Sequence, residues 1–383
     1  MNSDPAGKPV YTRAWYGFLD GQKAEGFGVT EPKDIAVEEP QADAKARRAR
    51  GEFVRGVSKF RNDLDAQSGF PPEPGRYHLF VALNCPWCHR VTLARNILGL
   101  QSAVTMDVAF PNRTTEDDPI EPNRWEFDPS RIATLTGDVL PECTKETATG
   151  QNFRLMTEIY QAEGSSEASV PVLYDKKQKR IVSNESADIV RLLNKHVIAL
   201  GSEMSEASRL DLYPLGKEHA ALRSEIDILN EDIYVGINNG AYKAGFSSDQ
   251  KVYEAAFERY FDTLGQIENR LASDGRLFLT GDAFTEADLR LFPTLYRHDP
   301  VYYVRMKLNA ARILDYPLLW RWLCRVYAMP GVAESNSLEH CRQGYFGRSW
   351  NNVVPKGPLR PMPYPKAYEH PELVETLTAY DRG

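Results

Sequence analysis

Seven residues carry the chemistry that this chain advertises most openly: Asn84-Cys85-Pro86-Trp87-Cys88-His89-Arg90, which follow the apolar run Tyr77-His78-Leu79-Phe80-Val81-Ala82-Leu83. A strand that turns into a helix here puts Pro86 at the first helical position, where its fixed φ suits a helix and its missing N–H would have had no partner. Cys85 then falls at the N-cap. Free backbone N–H groups and the positive end of the helix dipole favour a thiolate there over a thiol. A free thiol is only ~3% ionised at pH 7, whereas a helix N-terminus lowers the pKa to roughly 3.5–7.5. A value below 7 is expected for Cys85. Cys88 lies one turn on, close enough to form a disulfide with Cys85 or to donate a hydrogen bond to it. Zinc would need two further ligands at a compatible spacing, and Cys143, Cys324 and Cys341 form no second pair, so no metal is expected.

The bulk composition limits what such a cysteine could serve. With 383 residues and 42% hydrophobic content the chain can fold as two domains. A net charge of −7 argues against nucleic acid or an anionic membrane as partner. No run of about 18 apolar residues could span a bilayer. Residues 1–28 lack the basic start and apolar core of a secretory signal, and five thinly spread cysteines suit a reducing compartment, so a cytoplasmic location is expected.

The elements that must position the cysteine follow from periodicity. Residues 1–76 read as an extension in which only Ala42 to Phe60 resembles a helix, its basic run being a solvated face. From Tyr77 the pattern is strand, helix Pro86 to Leu98 stopped by Gly99, and strand Ala103 to Ala109, a βαβ beginning. A long polar loop, 111–151, interrupts it. A helix from Asn152 to Gln161, strands Ser169 to Tyr174 and Arg180 to Ser183, and a helix opened by Asn184-Glu185-Ser186-Ala187-Asp188 complete a domain over 77–200. Ser186 or Asn184 could cap that helix, whose free N–H groups could hold a carboxylate. Over 206–346 helical periodicity takes over, at Leu210 to Asn230, Asp249 to Ala272, Asp288 to Tyr296 and Leu318 to Ala328, which predicts an all-helical second domain. Thr285-x-x-Asp288 is a helix start, and 347–383 a Pro-rich tail.

A thioredoxin-like α/β half followed by an all-α half, with Cys-Pro-Trp at its first helix, a Val170-Pro171 step and Glu185-Ser186 opening a helix, resembles the glutathione transferases. More narrowly it resembles their xi class, the glutathionyl-hydroquinone reductases, over about Tyr77 to Trp350. The segments Asn84 to Arg90, Val170 to Leu173 with Ser183 to Asp188, Asn238 to Phe246, and Arg297-His298-Asp299 before Val301-Tyr302 carry the likeness. It implies that glutathione, as co-substrate, pairs with the Val170 backbone beside a cis Pro171. Glu185 would accept its ammonium and Ser186 hold its carboxylate, with Arg154 and Trp125 as further contacts. Tyr242, Tyr302 and Tyr345 match the pocket for the hydroquinone, and a homodimer is implied.

The implied reaction runs through Cys85, which attacks the sulfur of a glutathionyl-hydroquinone and is left as a mixed disulfide that a second glutathione resolves. Two features depart from the xi pattern. Many members carry Ala where this chain has Cys88, and here Ser165 to Ser169 lead into the Val-Pro step after a long 111–151 loop. The Cys85/Cys88 pair therefore keeps a second reading open, an omega-like thioltransferase or dehydroascorbate reductase. A third, a non-catalytic binding protein of the same fold, is opposed by the intact cysteine, proline and Glu-Ser set.

Overall fold

A computed structural model describes residues 47–115, 118, 121–137, 140–347 and 353–357; most of the 1–76 extension and of the 347–383 tail lie outside these. The first layer is a four-stranded sheet in the order β2-β1-β3-β4, from β1 (Tyr77–Val81), β2 (Thr105–Val108), β3 (Val172–Asp175) and β4 (Arg180–Ser183). β2 runs parallel to β1, with Leu79 opposite Met106, while β3 and β4 are antiparallel additions. β1 is buried along its whole length, which is why it reads as an unbroken apolar run rather than an alternating one.

Helix α1 (Pro86–Ile97) leaves β1 through Cys85, and Gly99 ends it at φ +65°, a conformation that costs glycine little. The next helix, α2, spans Met156–Ala162 and not Asn152 to Gln161. Asn152 sits at φ +55°, and the Glu158 carboxylate accepts the N–H groups of Arg154 and Leu155 at 2.8 and 2.7 Å, so the helix can begin only after them. Helix α3 (Ser186–Lys195) packs on α1. Its cap is Glu185, which accepts from the Ala187 N–H at 3.1 Å. Asn184 is occupied elsewhere, donating to the Tyr160 hydroxyl at 3.0 Å and accepting from the Phe60 N–H at 3.2 Å.

The helical half comprises α4 (Ala220–Asp232), α5 (Asn239–Phe246), α6 (Gln250–Ala272), α7 (Glu286–Arg297), α8 (Pro317–Ala328) and α9 (Leu338–Phe346). The expected helix over Leu210 to Asn230 starts late, because the carbonyls of Pro214 and Gly216 are both taken by Arg223 at 2.6 Å in a turn that Pro214 and Gly216 dictate. Two π-helical stretches, Ile233–Asn238 and His298–Tyr302, were not legible as such. The first presses Gly236 against α6, where a Cβ would stand 2.1 Å from the Thr263 hydroxyl. Thr285 and Asp288 form the expected capping box on α7, and Asp288 also accepts from the Trp322 indole at 2.8 Å. The two halves share one hydrophobic core, with α1 resting directly on α7.

The stretch expected as a helix, Ala42 to Phe60, is helical only over 47–49 among its described residues. Gly51, at φ +82°, turns the chain away, and 52–60 runs extended. This segment straps the two halves together. Gly51 accepts from the Ser248 N–H at 3.1 Å at the helical end, and Phe53 packs on Tyr242 and Phe246. At the other end the Asn62 N–H donates to the Val182 carbonyl and the Asn184 N–H to the Phe60 carbonyl, Arg61 pairs with Asp188, and Leu64 and Phe70 join the core.

Candidate active site

Cys85 is the N-cap residue, extended at φ −81°, ψ 122° and half-buried. Its sulfur lies 3.9 Å from the Val170 carbonyl oxygen, and the Val170–Pro171 peptide is cis. Burial alone would raise its pKa. The Cys88 thiol, the N–H groups of Cys88 and Trp87 and the charge of Arg55 outweigh that and bring it down to about 6. Cys88 is driven the other way, well above an ordinary thiol, first by burial and then by its bond to Cys85. It is fully buried, and its sulfur accepts from the Ala82 N–H at 3.3 Å. Cys85 is thus the more acidic of the two thiols, and Cys88 the one that keeps its proton.

The turn before Cys85 is held from the helical half. Arg297, fully buried at the end of α7, donates to the carbonyls of Leu83 at 2.8 Å and Asn84 at 3.2 Å, and to its own Pro293 carbonyl at 2.8 Å. It also meets His89 Nδ1 at 2.9 Å. A guanidinium can only donate, so His89 is neutral there and carries its proton on Nε2, which lies 3.1 Å from the Ser335 hydroxyl. Burial, then the Arg297 charge, hold His89 well below the usual imidazole range.

The three tyrosines nominated from sequence converge. The Tyr345 hydroxyl lies 2.6 Å from that of Tyr242 and 3.1 Å from that of Tyr302. Tyr242 and Tyr302 come from α5 and the second π turn, Tyr345 from α9, a helix the periodicity did not expose. Its neighbour Gly344 lets α9 lie against the reactive turn, since a Cβ there would stand 2.1 Å from the Asn84 amide nitrogen. Burial raises all three phenols, with the Cys85 charge next for Tyr242 and the other phenols next for Tyr302 and Tyr345. They keep their protons at neutral pH and are donors.

The residues expected around glutathione divide into two groups. Glu185 and Ser186 stand at the N-terminus of α3, the Glu185 carboxylate accepting from Ser58 of the strap at 3.0 Å and the Ser186 hydroxyl lying 3.4 Å from it. Trp125 and Arg154 belong to the 111–151 insertion and its exit, where Trp125 accepts from the Met156 N–H at 3.0 Å and its ring lies 4.0 Å beneath Arg113. The Arg154 guanidinium is engaged by Asp118 at 2.9 Å and by Glu126. Among the described residues no group of three or more His, Cys, Asp or Glu side chains could hold a metal ion, and no helix is long and apolar enough to cross a membrane.

Sequence reasoning missed the strap. Phe53, Arg55 and Ser58 all reach the site, yet an aromatic and a cation inside a charged stretch look like any solvated segment. It also missed Arg297 as a brace on the cysteine turn: the segment Arg297-His298-Asp299 stood out, but nothing local says that its arginine reaches back to residues 83 and 84.

The chain matches the family models described as "Glutathione S-transferase, N-terminal domain" over residues 84–196 and "Glutathione S-transferase, C-terminal domain" over 250–325. It is 38% identical over 320 residues to the glutathionyl-hydroquinone reductase PcpF of Sphingobium chlorophenolicum, covering 82% of this chain and 92% of that protein. It is likewise 38% identical over 316 residues to the glutathionyl-hydroquinone reductase YqjG of Escherichia coli K12, covering 80% and 88%. The glutathione-bound structure of YqjG superposes with a TM-score of 0.69 over 82% of this chain and 97% of that one. The glutathione-S-transferase Xi of Phanerochaete chrysosporium, 34% identical, gives the same score over 82% and 95%.

Proposed function

The chain belongs to the xi class of glutathione transferases, and from that premise we propose that it reduces glutathionyl-hydroquinones to hydroquinones with glutathione as the reductant. The observation that carries this reading is the Cys85 sulfur at the start of α1, 3.9 Å from the Val170 carbonyl oxygen, with three phenols from the other half of the molecule clustered hydroxyl to hydroxyl. An ordinary transferase needs a hydroxyl to hold the glutathione thiolate; a cysteine is itself the nucleophile.

Residues 77–200 are the glutathione-binding domain and 206–346 the substrate domain. The Val170 backbone pairs with the cysteinyl part of glutathione beside Pro171, while Glu185 takes the γ-glutamyl ammonium. Ser186 and the first N–H groups of α3 take its carboxylate. Trp125 and Arg154 close the far side, Arg154 sharing its guanidinium with Asp118 and Glu126. Tyr242, Tyr302 and Tyr345 face the ring oxygens.

Cys85 attacks the glutathionyl sulfur, and a sulfur–sulfur bond forms as the sulfur–carbon bond breaks. Before that bond breaks, the sulfur-bearing ring carbon takes a proton, which the tyrosine cluster is placed to deliver. The thiolate of a second glutathione then attacks the mixed disulfide, releasing oxidised glutathione and regenerating Cys85. The buried position and raised pKa of Cys88 support this one-nucleophile cycle over the omega-like alternative in which Cys88 resolves the intermediate.

The protein works in the cytoplasm as a homodimer, without nucleic acid or membrane partners; sedimentation should give one species of twice the 43.3-kDa chain mass. The decisive test incubates the purified chain with glutathione and glutathionyl-menadiol and follows free quinol. Wild type should release it and Cys85→Ser should not. Release by Cys85→Ser at the wild-type rate, or none by wild type, would sink the reading.

A further inference from the structure

The strap places a cation over the site with two of its donor nitrogens unspent. The Arg55 guanidinium lies 3.8 Å from the centre of the Trp87 ring, 5.4 Å from that of Tyr242 and 5.9 Å from that of Phe53. Its Nε and Nη2 are buried and have no hydrogen-bond partner among the described residues. Leaving charged donors buried and unmet costs more than leaving neutral ones so, and a bound ligand is what would meet them. The neighbouring cations are spoken for: Arg90, 4.4 Å from the same indole, donates to Asn238, and Arg297 is spent on the cysteine turn. A guanidinium stacked on an indole keeps its edge free for in-plane hydrogen bonds. The strap itself is pinned at both ends, by Gly51 to Ser248 and by Ser58 to Glu185, which holds Arg55 between the phenols and the glutathione side.

We propose that Arg55 is a further catalytic residue, whose free N–H groups bind the ring oxygen of the hydroquinone and neutralise the charge that gathers on it as the aromatic group departs. The inference rests on the reductase reading above. A proton placed on the sulfur-bearing ring carbon, with loss of the neighbouring O–H proton, converts the conjugate to its keto isomer. When the Cys85 thiolate attacks the glutathionyl sulfur, the carbon–sulfur pair moves into the ring and ends on that oxygen as a phenolate. The sulfur is oxidised to the disulfide level and the carbon is reduced. The proton of the second glutathione thiol finally converts the phenolate to the hydroquinone, so one glutathionyl-hydroquinone and one glutathione give one oxidised glutathione and one hydroquinone. A mixed disulfide that expels a thiolate puts its charge on sulfur and has no ring oxygen for Arg55 to hold.

That difference supplies the test. The full chain and its Arg55→Gln and Arg55→Lys variants are assayed with glutathionyl-hydroquinone and, separately, with the mixed disulfide of glutathione and cysteine. Arg55→Gln should lower kcat on the quinol conjugate by ~10²-fold, the scale of one lost oxyanion donor, with KM moving a few-fold at most. Its loss on the mixed disulfide should be at least about tenfold smaller. Arg55→Lys should fall between wild type and Arg55→Gln on the conjugate, and it carries the comparison should Arg55→Gln show no cooperative thermal transition. Equal losses on both substrates, or a full kcat in either variant, would overturn the assignment of Arg55. A wild-type chain that reduces the mixed disulfide but releases no hydroquinone would instead overturn the reductase reading, and this inference with it.

Discussion

Replacing Cys88 by alanine should change how Cys85 ionises more than how fast it reacts at pH 7. Burial raises the Cys85 pKa, and the largest opposing influence is the Cys88 thiol, which donates to it. A hydrogen bond to a charged group contributes about 1.5–3 kcal/mol, and 1.36 kcal/mol is one pKa unit. Its loss should therefore move Cys85 from about 6 to about 7–8. Intrinsic nucleophilicity rises with pKa, with a Brønsted slope of about 0.4–0.5, so the fully ionised variant should react roughly three- to tenfold faster. At pH 7 the smaller thiolate fraction and the faster thiolate nearly cancel. The informative measurement is the rate of iodoacetamide labelling of Cys85 from pH 4.5 to 9.5, read by mass spectrometry of the Cys85 peptide. Wild type should give a midpoint near 6, and Cys88→Ala a later midpoint with a higher plateau. A wild-type midpoint near 8.5, or identical profiles for the two proteins, would refute the assignment of Cys88 as the thiolate's donor.

Three more outcomes follow from the geometry. Tyr345→Phe removes the hydroxyl shared by Tyr242 and Tyr302 and should lower kcat on glutathionyl-hydroquinone by at least about tenfold, below the usual ~10²–10⁴ of a lone acid because two donors remain; an unchanged kcat would remove the cluster from proton delivery. Arg297→Met strands the carbonyls of Leu83 and Asn84 and should cost roughly 2–4 kcal/mol in urea unfolding, a loss under about 1 kcal/mol speaking against the brace. Asp288 carries the opposite pH sign to most carboxylates, because burial pushes it up to about 6 from 3.8 despite the bonds from Leu279, Trp322 and Thr285. Its contribution is full below the unfolded value and is lost as pH rises through 6, so the stability of wild type relative to Asp288→Asn should grow by roughly 2–3 kcal/mol between pH 7 and pH 4; a difference constant with pH contradicts it.

The parts of the fold legible in the sequence are those set by local rules. Cys85-Pro86 fixes where α1 begins, Gly99 where it ends, and Thr285 with Asp288 where α7 starts. The departures come from side chains whose partners are distant in sequence. Asn184 looks like a cap but is claimed by Tyr160 and by the strap, leaving the cap to Glu185. Gly344 gains its meaning only when α9 meets Asn84. The strap over 52–62 owes its extended path to Gly51 and to the edge of β4, neither of which a run such as Ala44 to Arg50 discloses.

The Arg297 brace also bears on how separable the two halves are. The carbonyls of Leu83 and Asn84 belong to the thioredoxin-like half, but the donors that satisfy them come from the end of α7, and His89 of α1 turns its acceptor nitrogen to the same guanidinium. The boundary between the domains therefore runs through the reactive turn rather than around it. A graft of this first half onto a foreign helical partner would carry Cys85 and Pro86 intact and still leave that turn with two unanswered carbonyls. The turn that carries Cys85 is a property of the joint, and neither half owns it.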